Sequence, residues 1–117
     1  MHYDTLVTKN NKLIYCNKGK IFDVVLNIRK NSKHYGKYFC IDLKGEDNKL
    51  LYVPYGYAHG FQALKNNTEV FYFSSANYNK KNERGYAWNS FGCKWPITNK
   101  NNIFLSKRDL KHKNFNI

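Results

Sequence analysis

The groups in this chain with the widest chemical range are four histidines, His2, His34, His59 and His112, together with a scatter of acids. The histidines form no HxH pair and no HxxxH pair beside an acid, which is the spacing by which double-stranded β-helix proteins hold a metal, so no metal site is expected. Three cysteines, Cys16, Cys40 and Cys93, are far apart, odd in number and outside any CxxC pair; they read as buried thiols of a reducing compartment rather than as a disulfide framework or a zinc knuckle. No phosphate-cradling glycine loop, GxSxG elbow or cysteine in a nucleophile context is present. What remains is a set of proton-transfer groups: His2, His59, Asp23, Asp109, Lys12 and Tyr72.

Taken one at a time, each has a plainer use. Asp109, in LSKRDLK, fits an exposed acid on a charged turn, and Lys12 fits one of many surface lysines. Tyr72, in EVFYFSS, shares a strand face with Val70, where an aromatic ring usually packs. His59 sits in VPYGYAHGF between Ala58 and Gly60; it fits a hydrogen-bonded core histidine as well as a proton-transfer group. Chemistry therefore depends on whether the fold gathers these residues.

The elements that would do so are strands. Period-two patterns bounded by polar turns dominate, and no long segment keeps a helical period. The clearest is KIFDVVLNIR, residues 20–29, which puts Phe22, Val24, Leu26 and Ile28 on one face as core, and Ile21, Asp23, Val25 and Asn27 on the other as the wall of a polar cavity. Residues 12–16, 38–43, 50–54, 58–64 and 68–75 are further strands, separated by turn-forming runs such as KGEDN and KNN. Many short strands at this spacing predict an all-β antiparallel sandwich or barrel, with residues 111–117 as a loose tail.

Size and composition agree with one such domain over residues 1–117: ten Tyr, eight Phe and 42% hydrophobic residues are too many packing groups for a disordered chain. The formal charge of +12 is spread in small groups interleaved with Asn. Enrichment of Lys, Asn, Ile and Tyr together is what an AT-rich coding sequence yields, so a solvated basic surface, compatible with an anionic small-molecule substrate, is expected ahead of nucleic-acid binding. No strand interleaves Arg with aromatics as a nucleic-acid stacking platform does. The first residues, MHYDTLVTKNNK, contain no apolar run of signal length and nothing later approaches a membrane span, so a soluble cytoplasmic protein is expected.

The combination of motifs says more than any one residue. In order, HY, NNKL, KIFDVVLNIRKNS, LYVPYGYAHGFQAL, TEVFYFSSANYNKKNERGYAWN, CKWP and LSKRD resemble the dTDP-4-dehydrorhamnose 3,5-epimerase family, from His2 to Asp109 without large gaps. The AHGF run with its preceding V-P-x-G, and the later E-R-G-x-x-W, are the most specific signals. The resemblance implies a cupin-like jelly roll that works as a homodimer, without metal or cofactor, on a deoxythymidine diphosphate sugar with a ketone at carbon 4. Protons at carbons 3 and 5, beside that ketone, are removed and returned. The family's general base falls on His2, its carboxylate partner on Asp109, the tyrosine acid on Tyr72 and the lysine near the ketone oxygen on Lys12. The pocket residues fall on Asp23 and His59, with Gly60 giving the ligand close approach, and Tyr78 and Glu83 join them as substrate-binding residues.

The chain reads as an amino-terminally shortened member: the arginine and glycine that precede the family's catalytic histidine have no counterpart before Met1. Asp4, Asn27 and Phe73 stand where the family commonly has a glutamine, an acid and a lysine. The pairing of His2 and Asp109 with Tyr72 favours the double epimerase over a carbon-3-only epimerase or a 3,4-ketoisomerase of the same fold. A non-catalytic sugar-nucleotide-binding remnant is the rival from another class.

Overall fold

The computed structural model describes residues 1–5, 9–77 and 81–116. In chain order the strands are β1 (His2–Asp4), β2 (Lys12–Lys18), β3 (Lys20–Asn27), β4 (Tyr38–Lys44), β5 (Leu51–Val53), β6 (Tyr57–Ala63), β7 (Glu69–Ser74) and β8 (Glu83–Gly85). A single turn of 3-10 helix, Lys100–Asn102, and a single turn of α-helix, α1 (Lys107–Leu110), follow. The strands form a five-stranded sheet, β4-β3-β6-β1-β8, and a three-stranded sheet, β5-β2-β7, with every strand pairing antiparallel. No helix among the described residues is long and apolar enough to cross a membrane.

The two sheets are joined where β2 hands over to β3 at Gly19. That residue has φ +82°, and a side chain on it would collide with Thr68, so only glycine can turn the chain from one sheet into the other here. Alternation then sorts β3 between two cores. Val24 and Leu26 point outward onto Met1, Phe91, Trp95 and Phe115, which cover that side of the large sheet. Ile21 and Val25 point inward and meet Ile14 and Cys16 of β2, with Leu43 and Val53. The space between the sheets is thus packed with aliphatics at one end and left to polar residues at the other.

All six expected strands appear within two residues of their predicted limits, residues 20–29 stopping short at Asn27. There the Asn27 side chain accepts the Arg29 backbone N–H at 3.0 Å and donates to Ser32 Oγ at 3.2 Å, which bends the chain out of the sheet. Asn27 therefore ends β3 with its side chain turned into the following bend and is no part of a cavity wall; the face assigned to a polar cavity is core apart from Asp23 and Asn27. Residues 111–116 are not loose: Ala87 N–H donates to Lys113 O at 2.8 Å, Phe115 N–H donates to Ser90 Oγ at 2.8 Å, and Phe115 is buried. Of the three thiols only Cys16 is fully buried; Cys40 lies exposed on β4, and Cys93 is half-buried, its thiol pushed up to about 12 by burial and the nearby Cys40. Strands β1 and β8, which the periodicity did not reveal, are each three residues long.

Candidate active site

Register decides which side chains share the polar end. Val25, His59, His2 and Gly85 are successive Cα partners across β3, β6, β1 and β8. Partners in one row point to one face, and Val25 faces inward, so His59 and His2 do too. Across the gap, Lys12 pairs with Ser74 and Ile14 with Tyr72; Ile14 is inner core, which places Lys12 and Tyr72 on the inner face of the small sheet. Between the sheets opens a cavity of about 610 Å3 lined by His2, Lys12, His59, Tyr72, Glu83 and Asp109 among others. The five-stranded sheet thus supplies histidines to one wall, and the three-stranded sheet supplies a lysine and a tyrosine to the other.

His2 lies between two carboxylates. Its Nδ1 is 2.9 Å from Glu83 Oε1 and its Nε2 is 2.6 Å from Asp109 Oδ1. The Asp109 oxygen is buried, and His2 Nε2 is its nearest partner. Burial pushes the Asp109 carboxyl up, but the charge of His2 and hydrogen bonds from Ser106 and His2 outweigh it, and the carboxyl stays below its ordinary range. Ser106 also caps α1, its Oγ accepting from Asp109 N–H at 3.0 Å, so the helical turn that carries Asp109 is fixed at its start.

Two residues of this cluster carried no signal in the sequence. Arg108 sends Nη2 to Glu83 Oε1 at 3.1 Å and Nη1 to Oε2 at 3.3 Å, a fork on a carboxylate that also receives His2. His112 packs its ring edge-on against His2 with centroids 5.0 Å apart, and its Nδ1 lies 3.6 Å from Asp109 Oδ1. A side chain at Gly85 would run into the His112 ring, so that glycine makes room for it. Both basic residues look like ordinary surface charge in LSKRDLKHK, and only the packing of α1 against β1 and β8 shows otherwise.

His59 and Asp23, both expected in the pocket, meet: His59 Nε2 is 2.8 Å from Asp23 Oδ2, and Asp23 is fully buried. Burial pushes the Asp23 carboxyl up, with the hydrogen bond and charge of His59 pulling the other way. Gly60 lines the cavity and also makes room for Met1. A Cβ there would lie 2.8 Å from Met1 Sδ, so its missing side chain accommodates Met1. Lys12 has no ion pair among the described residues, and Tyr72 is 63% exposed at the cavity wall. Tyr78 lies outside the described residues.

The family model described as dTDP-4-dehydrorhamnose 3,5-epimerase matches residues 1–116. The chain belongs to this family. Among curated relatives, the dTDP-4-dehydrorhamnose 3,5-epimerase of Shigella flexneri is 35% identical over 117 residues, covering 98% of this chain and 63% of that protein. The crystal structure of the Bacillus anthracis dTDP-4-dehydrorhamnose 3,5-epimerase, with TDP and PPi bound, superposes with TM-score 0.92 at 29% identity over 97% of this chain and 65% of the other. A Legionella pneumophila dTDP-6-deoxy-D-glucose-3,5-epimerase, in complex with dTDP-4-keto-L-rhamnose, gives TM-score 0.90 at 27% identity, covering 97% of this chain and 60% of the other. The sandwich is therefore the cupin-like jelly roll of the 3,5-epimerases, and the chain spans less than two thirds of the curated relatives it matches.

Proposed function

We propose that the protein epimerises a dTDP-4-dehydro-6-deoxy-hexose at carbons 3 and 5, in the cytoplasm, on the route to dTDP-rhamnose and precursors of lipopolysaccharide O-antigen. The observation that carries this reading is the division of labour between the walls. His2, backed by Asp109 of α1, stands on the large sheet, and Lys12 with Tyr72 stands on the small one. Inversion at carbon needs a base on one face of the sugar and an acid on the other, and two facing sheets supply that arrangement directly.

In this mechanism His2 takes a proton from carbon 5 or carbon 3. Negative charge builds on the oxygen at carbon 4, where Lys12 stabilises the enolate more than the ketone, and Tyr72 returns a proton from the far side. Both His2 nitrogens are engaged by carboxylates, so accepting a proton requires one of them to step back. Glu83 is the one that can leave without losing its charge partner, because Arg108 holds both of its oxygens. His59 spends Nε2 on Asp23 and keeps Nδ1 for a sugar hydroxyl. Lys12→Met is expected to lower kcat about 100- to 1,000-fold with little change in the calorimetric affinity for dTDP, the pattern of a group that acts on developing charge. Equal losses in both would remove Lys12 from that role.

The homodimer belongs to the same proposal. Leu13, Tyr52, Phe71 and Phe73 alternate with the cavity residues, so they form the outer face of the small sheet, where they are 37%, 58%, 51% and 64% exposed. A cluster of large apolar groups on a sheet whose edge strand β7 is unpaired on one side is a surface that a second copy would cover. Light scattering should give twice the chain mass of 13.9 kDa, and Phe71→Asp with Phe73→Asp should return it to the monomer. A monomeric parent chain would remove this part of the reading.

A further inference from the structure

His112 has no part in the proton chemistry above, yet its side chain is only 12% exposed and lies against the base. Its Nδ1 is a buried atom without a hydrogen-bond partner, and it faces Asp109 Oδ1 at 3.6 Å. An orphaned ring nitrogen beside a buried carboxylate oxygen is costly in a folded protein, and a ligand shared between them would relieve it. His2 Nε2 is 2.6 Å from the same oxygen, and the three ligand atoms lie within 4.8 Å of one another. We infer that His2, Asp109 and His112 form a site for a divalent first-row transition-metal ion such as Zn2+ or Co2+, which occupies the base and inhibits the enzyme.

Two imidazoles and one carboxylate are a donor set suited to these ions, with the fourth position left to water. Ligand atoms about 2.0–2.2 Å from such an ion stand roughly 3–3.5 Å apart, so the short contact must open slightly and the widest one close, within the reach of side-chain rotation. The surroundings are already arranged for a metal-binding histidine. Glu83 on Nδ1 selects the tautomer whose lone pair is on Nε2 and fixes the ring, as carboxylates do behind metal-bound histidines. The ligands come from β1 and from the end of α1, which is why no sequence spacing announced them.

The charge around the site sets its selectivity. Arg84, Arg108, Lys111 and Lys113 line the adjoining cleft and oppose any cation, while Asp109 and Glu83 favour one. Attraction by field alone is thus weak, and binding must come from coordinate bonds to nitrogen. Zn2+ and Co2+ can form these, whereas Mg2+ and Ca2+, which prefer all-oxygen sites, cannot use them well. With Nε2 on the metal and Nδ1 donating to Glu83, neither nitrogen of His2 is left to accept the carbon-bound proton. Metal binding stands independently of the epimerase reading; only the inhibition rests on it.

Calorimetric titration of the chain with Zn2+ tests the site without any assay of turnover. One ion per chain is expected, with Mg2+ giving no heat. Glu83→Gln should weaken Zn2+ about 10- to 100-fold, and His112→Gln by at least about tenfold. Cys40→Ser with Cys93→Ser should leave the affinity unchanged, which separates this site from the thiols. Nuclear magnetic resonance of the imidazole rings in the unaltered chain gives a second reading that no folding defect can spoil: Zn2+ should shift His2 and His112 and leave His59 in place. Absence of Zn2+ binding, full binding in His112→Gln, or shifts confined to other residues would each overturn the assignment.

Discussion

His2→Ala is expected to lower deuterium incorporation at carbons 3 and 5 of dTDP-4-dehydro-6-deoxyglucose in deuterated water about 100- to 10,000-fold, followed by proton nuclear magnetic resonance. The prediction isolates chemistry from folding because of how His2 is held. Its backbone pairs with His59 and Gly85, and an alanine keeps those pairings. Glu83 retains Arg108, and Asp109 retains His112 as a neighbour. Truncation removes the ion-pair partner of Asp109, but that side chain is 28% exposed and water reaches it, so the thermal midpoint should fall only modestly. Exchange that persists at the parent rate would exclude His2 as the base. The parent chain's own pattern is equally informative: label at both carbons fits the double epimerase, and label at carbon 3 alone fits the single one.

How much of this could be read in the sequence differs by distance along the chain. The alternation in residues 20–27 gave β3 and its two faces, because period two is a local property of pleated backbone. It did not reveal that both faces are covered. Burial of the inward face, read as a cavity wall, depends on Ile14, Cys16, Leu43 and Val53, which arrive from β2, β4 and β5. Strands β1 and β8 were invisible for a related reason: three residues carry too few alternations to register, and they exist because they pair with each other and with β6.

The site divides in the same way. Asp23 and His59 stood out as proton-transfer groups and the resemblance put both in the pocket; the fold places them 2.8 Å apart. His2 and Asp109 came only through resemblance to a family, because their contact links β1 to α1, the first and last elements of the chain. Arg108 and His112 came from neither source. A basic residue in a basic chain carries no local mark of function; what distinguishes these two is the carboxylate each one meets in space. The basic composition is uninformative at this level, and the geometry around Glu83 and Asp109 is where the charges become specific.

Tyr72→Phe should separate exchange from inversion, which no other single change to this site would do. The hydroxyl is the only atom lost, and a ring 63% exposed at the cavity wall has little packing to disturb. His2 remains on the opposite sheet, so carbon-bound protons are still abstracted. The imidazolium, itself 27% exposed, trades its proton with solvent and hands deuterium back to the face it came from. Label therefore accumulates in substrate of unchanged configuration, while the epimerised product forms about 100- to 10,000-fold more slowly. If product forms at the parent rate, the far-side donor is some other group. If label and product are lost together, Tyr72 takes part in abstraction, and the assignment of base and acid to separate walls fails. Retained label with lost product is the result that two facing sheets, each with its own half of the proton transfer, require.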